Sequence, residues 1–444
     1  MNFLNFNIGR YINNVTSLQF FQLFRFGILL LISIVFTKSD LGTGEIGVYE
    51  TFLLIAGGVS FFWLGGGLQA LLSVFNNNRS FPDKDKNAVF FNVFILFSIL
   101  SILAAVFVFV MQGAVASLLS LTGNNVPYMK ILFMYICVSG PVNMIEYIYL
   151  LNNKSRHIIY YGVSTFILQF LCVTVPVLLG YDLGYGLYGL VFINGVRFLW
   201  LIGLLKKYSV FKISFTFLKE YIKLANPLVI SLLLGGSAVY VDGFLVSNKF
   251  DEATFAIFRY GARELPFVIL LANALSNALT PTFAKSGNLQ NALENLKNES
   301  KKLMNIIFPL SVVFVLTSKW FYPIVFNPDF ESSAPVFNIY ILLIISRMVF
   351  PQTILIGLKK TNAILYASSI EIFLNILLSI IFINIWGITG VAFATVIAFI
   401  SEKIFLTSYL RYKVDIKIKN YLSIKRYLFF SGIIVIAFII STFM

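Results

Sequence analysis

The chain is short of charge. Only 12% of its 444 residues are Asp, Glu, Lys or Arg, about half the share that a water-facing surface carries. With 59% of residues apolar, a large soluble enzyme is excluded, and lipid must be the solvent for most of the surface. There is a single histidine, so no histidine-based metal cluster can form. His157 falls in an Asn-Lys-Ser-Arg-His loop, where a solvated side chain is expected. Two cysteines, Cys137 and Cys172, are too few for a disulfide framework, and both lie in apolar runs as packing residues. Residues 1–16 lack the basic start, short apolar core and small-residue cleavage site of a signal peptide. The first apolar run is therefore expected to stay in the mature protein. No Gly-rich turn leaves a strand to open a helix, so no phosphate-cradling loop is present. No catalytic nucleophile, nucleotide site, metal site or cofactor is expected, and the protein does not read as an enzyme.

What is abundant is long apolar stretches, each near the twenty residues that cross a bilayer core. Thirteen helices are predicted at 17–37, 47–75, 88–112, 128–150, 158–180, 185–205, 222–247, 254–280, 303–325, 334–357, 363–385, 388–409 and 426–443. The connections leave no room for a soluble domain. The net charge of +14 fits topology-setting loop charge better than nucleic-acid binding. Loops after even-numbered helices hold twenty-two Lys and Arg, among them Arg79, Lys84, Lys86, Lys206, Lys207 and Lys285. Loops after odd-numbered helices hold three: Lys38, Lys249 and Lys319. This asymmetry predicts a cytoplasmic N-terminus.

The sequence repeats. Tyr185-Gly186-Leu187-Tyr188-Gly189-Leu190-Val191-Phe192 opens helix 6, and Trp386-Gly387-Ile388-Thr389-Gly390-Val391-Ala392-Phe393 opens helix 12. The turn 152–156 after helix 4 is matched by 359–362 after helix 10, and Pro141 and Pro351 interrupt those two helices. Ile46-Gly47-Val48-Tyr49 aligns with Phe255-Ala256-Ile257-Phe258. An even number of helices per repeat predicts two six-helix lobes related by a pseudo-two-fold axis along the membrane normal. The expected divisions are an N-lobe over 1–211, a C-lobe over 212–410, and a basic loop with an extra helix over 411–444.

Ionisable groups at membrane depth are costly and usually face a cavity or a partner. Arg25 sits midway in helix 1, with Gln19 and Gln22 on the same stripe. Helix 7 has one small-residue face, Ser231, Gly235 and Ala238, ending in Asp242. Read as one helix, helix 8 puts Arg259, Arg263, Asn273 and Asn277 on one face. Arg347 lies in helix 10 and Glu371 in helix 11. Glu146 and Glu264 fall near helix ends and read as interfacial groups. Deep arginine outnumbers deep carboxylate, which suggests an anionic cargo, since guanidinium pairs bidentately with phosphate. Arg25, Arg259, Arg263, Arg347, Gln22, Asn273 and Asn277 are the candidate cargo residues, and Asp242 and Glu371 the candidate ion-coupling groups. The Gly57-Gly58, Gly65-Gly66-Gly67 and Gly235-Gly236 runs read as sites of close helix packing.

The two lobes, the Gly-x-x-Gly openings and the segments 240–244 and 257–266 resemble the Wzx-type polysaccharide-biosynthesis flippases. These belong to the multidrug/oligosaccharidyl-lipid/polysaccharide superfamily. The resemblance implies alternating-access transport of an undecaprenyl-diphosphate-linked oligosaccharide across a bacterial inner membrane. It also implies partners: the lipid-linked substrate, membrane lipids, a polysaccharide polymerase and a chain-length regulator, with no nucleic acid. Such proteins have twelve or fourteen helices, a departure from the thirteen counted. The runner-up is a Na⁺- or H⁺-coupled multidrug exporter of the same superfamily, which would lean on buried carboxylates. A membrane glycosyltransferase or polymerase would need catalytic side chains on large outer loops, and the loop at 113–127 carries no charge.

Overall fold

The structure, a computed structural model, describes residues 14–76, 88–121, 125–284 and 289–443. Arg79, Lys84, Lys86 and Lys285 lie outside the described residues, as does most of the segment 1–16. All secondary structure among the described residues is helical. In chain order the helices are α1 Asn14–Lys38, α2 Thr43–Gly58, α3 Phe61–Asn76, α4 Val89–Val110, α5 Gln112–Leu118, α6 Met129–Val142, α7 Ile145–Leu151, α8 Ser155–Leu178, α9 Leu183–Tyr208 and α10 Phe215–Gly236. There follow α11 Ala238–Lys249, α12 Glu252–Gly261, α13 Pro266–Ala284, α14 Leu289–Val325, α15 Ser333–Ile341, α16 Leu343–Arg347, α17 Pro351–Gly357, α18 Thr361–Lys413, α19 Ile418–Tyr421 and α20 Ile424–Phe443.

Seven of these, and α6 with α7 taken as one span Met129–Leu151, are long and apolar enough to cross a bilayer, and three bent pairs do so together: α2 with α3, α10 with α11, and α15–α16 with α17. Gly387 divides α18 into two helices, because its φ of 61° is a conformation that a side chain would strain. The apolar α13 supplies the remaining pass. With α18 divided at Gly387 and α13 added, the eleven candidate spans come to thirteen apolar segments among the described residues, roughly the number read from the sequence.

Two compact units form, dividing between Gly236 and Ser237. The division lies beyond the expected 211/212 lobe boundary because α10 packs along α3 in the first unit. Glycines permit that contact. A Cβ on Gly66 would lie 2.6 Å from the Val229 backbone nitrogen, and one on Gly65 would meet Leu232. Tyr221 seals the seam by donating its hydroxyl to the Gly67 carbonyl at 2.6 Å. Gly66→Ala is therefore expected to destabilise the first unit by about 1–3 kcal/mol. A lower melting temperature in detergent would show it, and an unchanged one would mean the seam can open without cost.

The repeat extends to backbone detail. Asn153 and Lys359 both take left-handed conformations, φ 56° and 59°. Each closes a helix by the same bond: Lys154 N–H to Tyr149 O at 2.9 Å, and Lys360 N–H to Leu355 O at 2.8 Å. The next residues, Lys154 at φ −101°, ψ 52° and Lys360 at φ −98°, ψ 47°, start α8 and α18. Two non-Gly residues in this sparsely populated region, at matching points of a repeat, are hard to assign to chance. Gly189 and Gly390 match as well, since a Cβ on either would collide with a backbone carbonyl, of Cys172 and Phe382 respectively.

Candidate functional site

In the second unit the expected eighth helix is broken. It is two helices, α12 and α13, separated by residues 262–265. Pro266 explains the break, because it cannot donate to the preceding turn and drives Leu265 out of helical geometry. Asp251 caps α12 by accepting from Thr254 N–H at 2.9 Å. Hydrogen bonding by the Thr254 hydroxyl, and then by its N–H, holds the carboxyl below the usual range, so the cap is intact at neutral pH and is lost on acidification through its own titration. Arg259 is half-buried on α12, whereas Arg263 and Glu264 lie in the break. Asn273 and Asn277 are exposed on α13 and so do not continue the face of Arg259.

The broken segment does not leave its arginines equivalent. Arg263 stacks its guanidinium over Tyr260, 4.5 Å from the ring centre. Arg347, at the end of α16, pairs with Glu264 through both ends of its fork, at 2.7 and 3.1 Å, and lies 5.0 Å over Phe399. The expectation that Arg347 offers a free fork to cargo is corrected by this pair, which ties two helix breaks together. Both partners keep some solvent contact, so removing one leaves a charge only partly desolvated. Arg347→Met should cost on the order of 2 kcal/mol. The double variant with Glu264→Leu should cost less than that. A double-mutant cycle in thermal unfolding measures the coupling, and additive losses would contradict the pairing.

Asp242 is 1% exposed. The structure gives it neither Arg259 nor Arg263 as a hydrogen-bonding partner but three neutral donors. They are the Thr395 hydroxyl at 2.5 Å, the Tyr340 hydroxyl at 3.0 Å and the Asn375 amide at 3.1 Å. Tyr340 comes from α15 and the other two from the two halves of α18, so three helix segments converge on one carboxylate. Asn375 also donates to the Thr395 hydroxyl at 3.0 Å. Two buried oxygens here have no hydrogen-bond partner: Asn375 Oδ1 and, one turn on, Ser379 Oγ. Such orphaned acceptors are costly unless something else uses them.

Glu371 precedes Asn375 by one turn of the same helix and is buried. The charges of Glu402, Lys403, Arg347 and Asp242 all act on it. Lys403 pairs with Glu402 at 2.9 Å, and Gln352 donates to Glu402 at 2.5 Å. A cavity of about 10 Å³, room for one water, lies among Glu264, Ser311 and Tyr340. The two buried candidate coupling groups and the partly exposed Arg347–Glu264 pair thus form one polar region of the second unit.

In the first unit Gln22 and Arg25 are exposed on α1. Arg197 on α9 is held in place, donating to Gln169 at 2.8 Å and stacking 5.0 Å from the Phe166 ring centre. Glu146, read from sequence as interfacial, is buried on α7. The charges of Arg25 and Arg197 both act on it. This grouping was not legible in the sequence, because α1, α7, α8 and α9 meet only in the fold. The available signal was a carboxylate five residues beyond Pro141, inside a span rather than at its end.

A family model described as lipid II flippase MurJ matches residues 62–444. No curated protein matches the chain by sequence. Among solved structures, a lipid II flippase MurJ in an inward closed conformation superposes with a TM-score of 0.65 at 18% identity, covering 97% of each chain. An inward-facing MATE multidrug transporter of the MOP superfamily gives 0.65 at 16% identity, over 88% of this chain and 98% of its own. A MATE transporter from Vibrio cholerae gives 0.58 at 13% identity, over 89% and 97%. At these identities the likeness is one of fold. The superfamily is the one that the residues resembled, but the match falls on its MurJ family and not on the Wzx branch.

Proposed function

Since the chain belongs to the lipid II flippase MurJ family, we propose that it is a multi-pass flippase of a bacterial inner membrane, with its N-terminus in the cytoplasm. Its cargo is a prenyl-diphosphate-linked saccharide, lipid II being the one named in the family's description. The observation that carries this reading is Arg25, a guanidinium exposed in the middle of an apolar helix, with Gln22 exposed one turn before it. A cation in that position is tolerable facing water and an anionic ligand, and costly facing acyl chains. Phosphate oxygens match its planar fork. Arg259 and the exposed Asn273 and Asn277 of the second unit are proposed as further cargo contacts.

Energy enters through Asp242. A carboxylate held by the Thr395 hydroxyl and the Asn375 amide suits a monovalent cation, and the partnerless Asn375 Oδ1 and Ser379 Oγ, on the same face of that helix, are read as further oxygens for Na⁺, since a proton needs only one acceptor. Glu371, one turn away, would adjust the charge of that site. The oligosaccharide reading, with its polymerase and chain-length regulator, is kept as the finer alternative. A multidrug exporter is favoured by the MATE-like fold alone.

The test is complementation. In a bacterium depleted of its own lipid II flippase, expression of this chain should restore growth, and Arg25→Ala should not. Restored capsule or O-antigen export without restored growth would move the cargo to an oligosaccharide. Efflux of cationic dyes with neither would overturn the flippase reading.

A further inference from the structure

The first unit contains an acid that the proposed transport cycle leaves unused. Glu146 is 8% exposed, and no side chain among the described residues donates a hydrogen bond to it. Its carboxylate meets its own backbone N–H. A buried carboxylate in that state depends on nearby charge to stay ionised. The neighbouring elements supply little else. On α1 there is Arg25; on α9, Arg197; on α8, the phenol of Tyr161 and, towards Tyr149, His157; on α6, Tyr135; and on its own helix, Tyr147 and Tyr149. The α3 helix, which also packs against it, carries no ionisable residue.

The two arginines are unlike. Arg197 is fixed by Gln169 and Phe166, with its Nε buried and without a partner. Arg25 is exposed and makes no such bond, so it is the one able to turn towards a ligand. The acid is also not a relic of the duplication. Glu146 precedes Asn153 by as many residues as Gln352 precedes Lys359, so the second unit has an amide at the matching place. Gln169 likewise matches Asn375, and Asn194 matches Thr395. The stretch Gly27–Thr37 of α1 has no ionisable residue to match Asp242. Glu146 and Asp242 are thus buried acids at positions where the other unit has no acid.

We propose that Glu146 is a proton-binding site of the first unit, loaded when a phosphate group engages Arg25. Without cargo, Arg25 and Arg197 together balance the carboxylate. A diphosphate that recruits Arg25 withdraws one of those two charges and adds negative charge nearby. The carboxylate oxygen then takes a proton from water, forming one O–H bond, and returns it when the cargo leaves. Cargo binding is thereby linked to proton uptake in a unit separate from the Asp242 site. The inference rests on Arg25 being a cargo contact.

Farnesyl diphosphate, a short prenyl diphosphate, serves as the probe. Calorimetric titration of the purified full chain at neutral pH, in two buffers of different ionisation enthalpy, counts the protons taken up per probe bound. The probe's own titration is common to all variants and cancels. The wild type should take up more protons than Glu146→Gln, by half to one equivalent. Its affinity should fall relative to that variant by about threefold or more per pH unit as pH rises. Equal uptake in the two proteins overturns the proposal. Arg25→Ala binding the probe like the wild type would instead sink the cargo reading beneath it, and this proposal with it. If the amide variant does not fold, difference infrared spectra on adding the probe should show a protonated-carboxyl stretch in the wild type that moves in Glu146→Asp. A stretch that is missing, or that does not move, counts equally against it.

Discussion

Asp242→Asn is expected to leave a folded protein that no longer responds to Na⁺ and transports at a small fraction of the wild-type rate. The amide is nearly the same size and can still meet the Thr395 and Tyr340 hydroxyls and the Asn375 amide, so the packing of α11 against α18 should survive. What it loses is the charge. A neutral group among neutral oxygens binds a monovalent cation weakly, and a loss of one to two orders of magnitude corresponds to about 1.4–2.8 kcal/mol in cation binding. The check is cargo translocation measured at several Na⁺ concentrations, with melting temperature in the same series. Thermal stabilisation by Na⁺ in the wild type and none in the variant would locate the ion. An unchanged Na⁺ response would remove Asp242 from coupling. Ser379→Ala, which deletes one orphaned oxygen, should weaken the response without abolishing it.

The second large effect is at Arg25. Arg25→Ala should abolish complementation and translocation with at most a small fall in melting temperature, because the side chain is exposed and Glu146, left with Arg197 alone, can take up a proton. Arg25→Lys should restore function only in part. It keeps the charge but loses the planar fork, and each charge-assisted contact contributes on the order of 1.5–3 kcal/mol. Translocation assays on purified protein, paired with thermal unfolding, separate this from a folding defect. Full rescue by Lys would reduce Arg25 to a source of positive potential. A large fall in melting temperature would make it a structural residue.

How much of this could be read from the residues depended on whether the information was local. Apolar length is local, and it gave roughly the right number of long helices, including the two that meet at Gly387. The turns at Asn153 and Lys359 were visible as short polar breaks, and their shared left-handed geometry agrees with the duplication. Pro266 was equally local, yet the apolar pattern on both sides of it favoured one helix across 254–280. The backbone instead breaks where the proline removes a donor. Asp242 stood out because it ends a face of small residues, but its partners come from helices far along the chain. Arg347 gave no sign of its pairing with Glu264 for the same reason. Glu146 was masked by its position beside a helix break, which in sequence resembles a helix end.

The most direct test of the account is translocation by the purified chain in liposomes. Lipid II supplied to one leaflet should become accessible to an enzyme acting on the other leaflet, faster than in protein-free vesicles. The rate should depend on Na⁺ and should be lost in both Arg25→Ala and Asp242→Asn. If neither lipid II nor any other prenyl-diphosphate-linked saccharide crosses, while a cationic dye is expelled against a Na⁺ gradient, the chain is a drug exporter and the flippase account is contradicted.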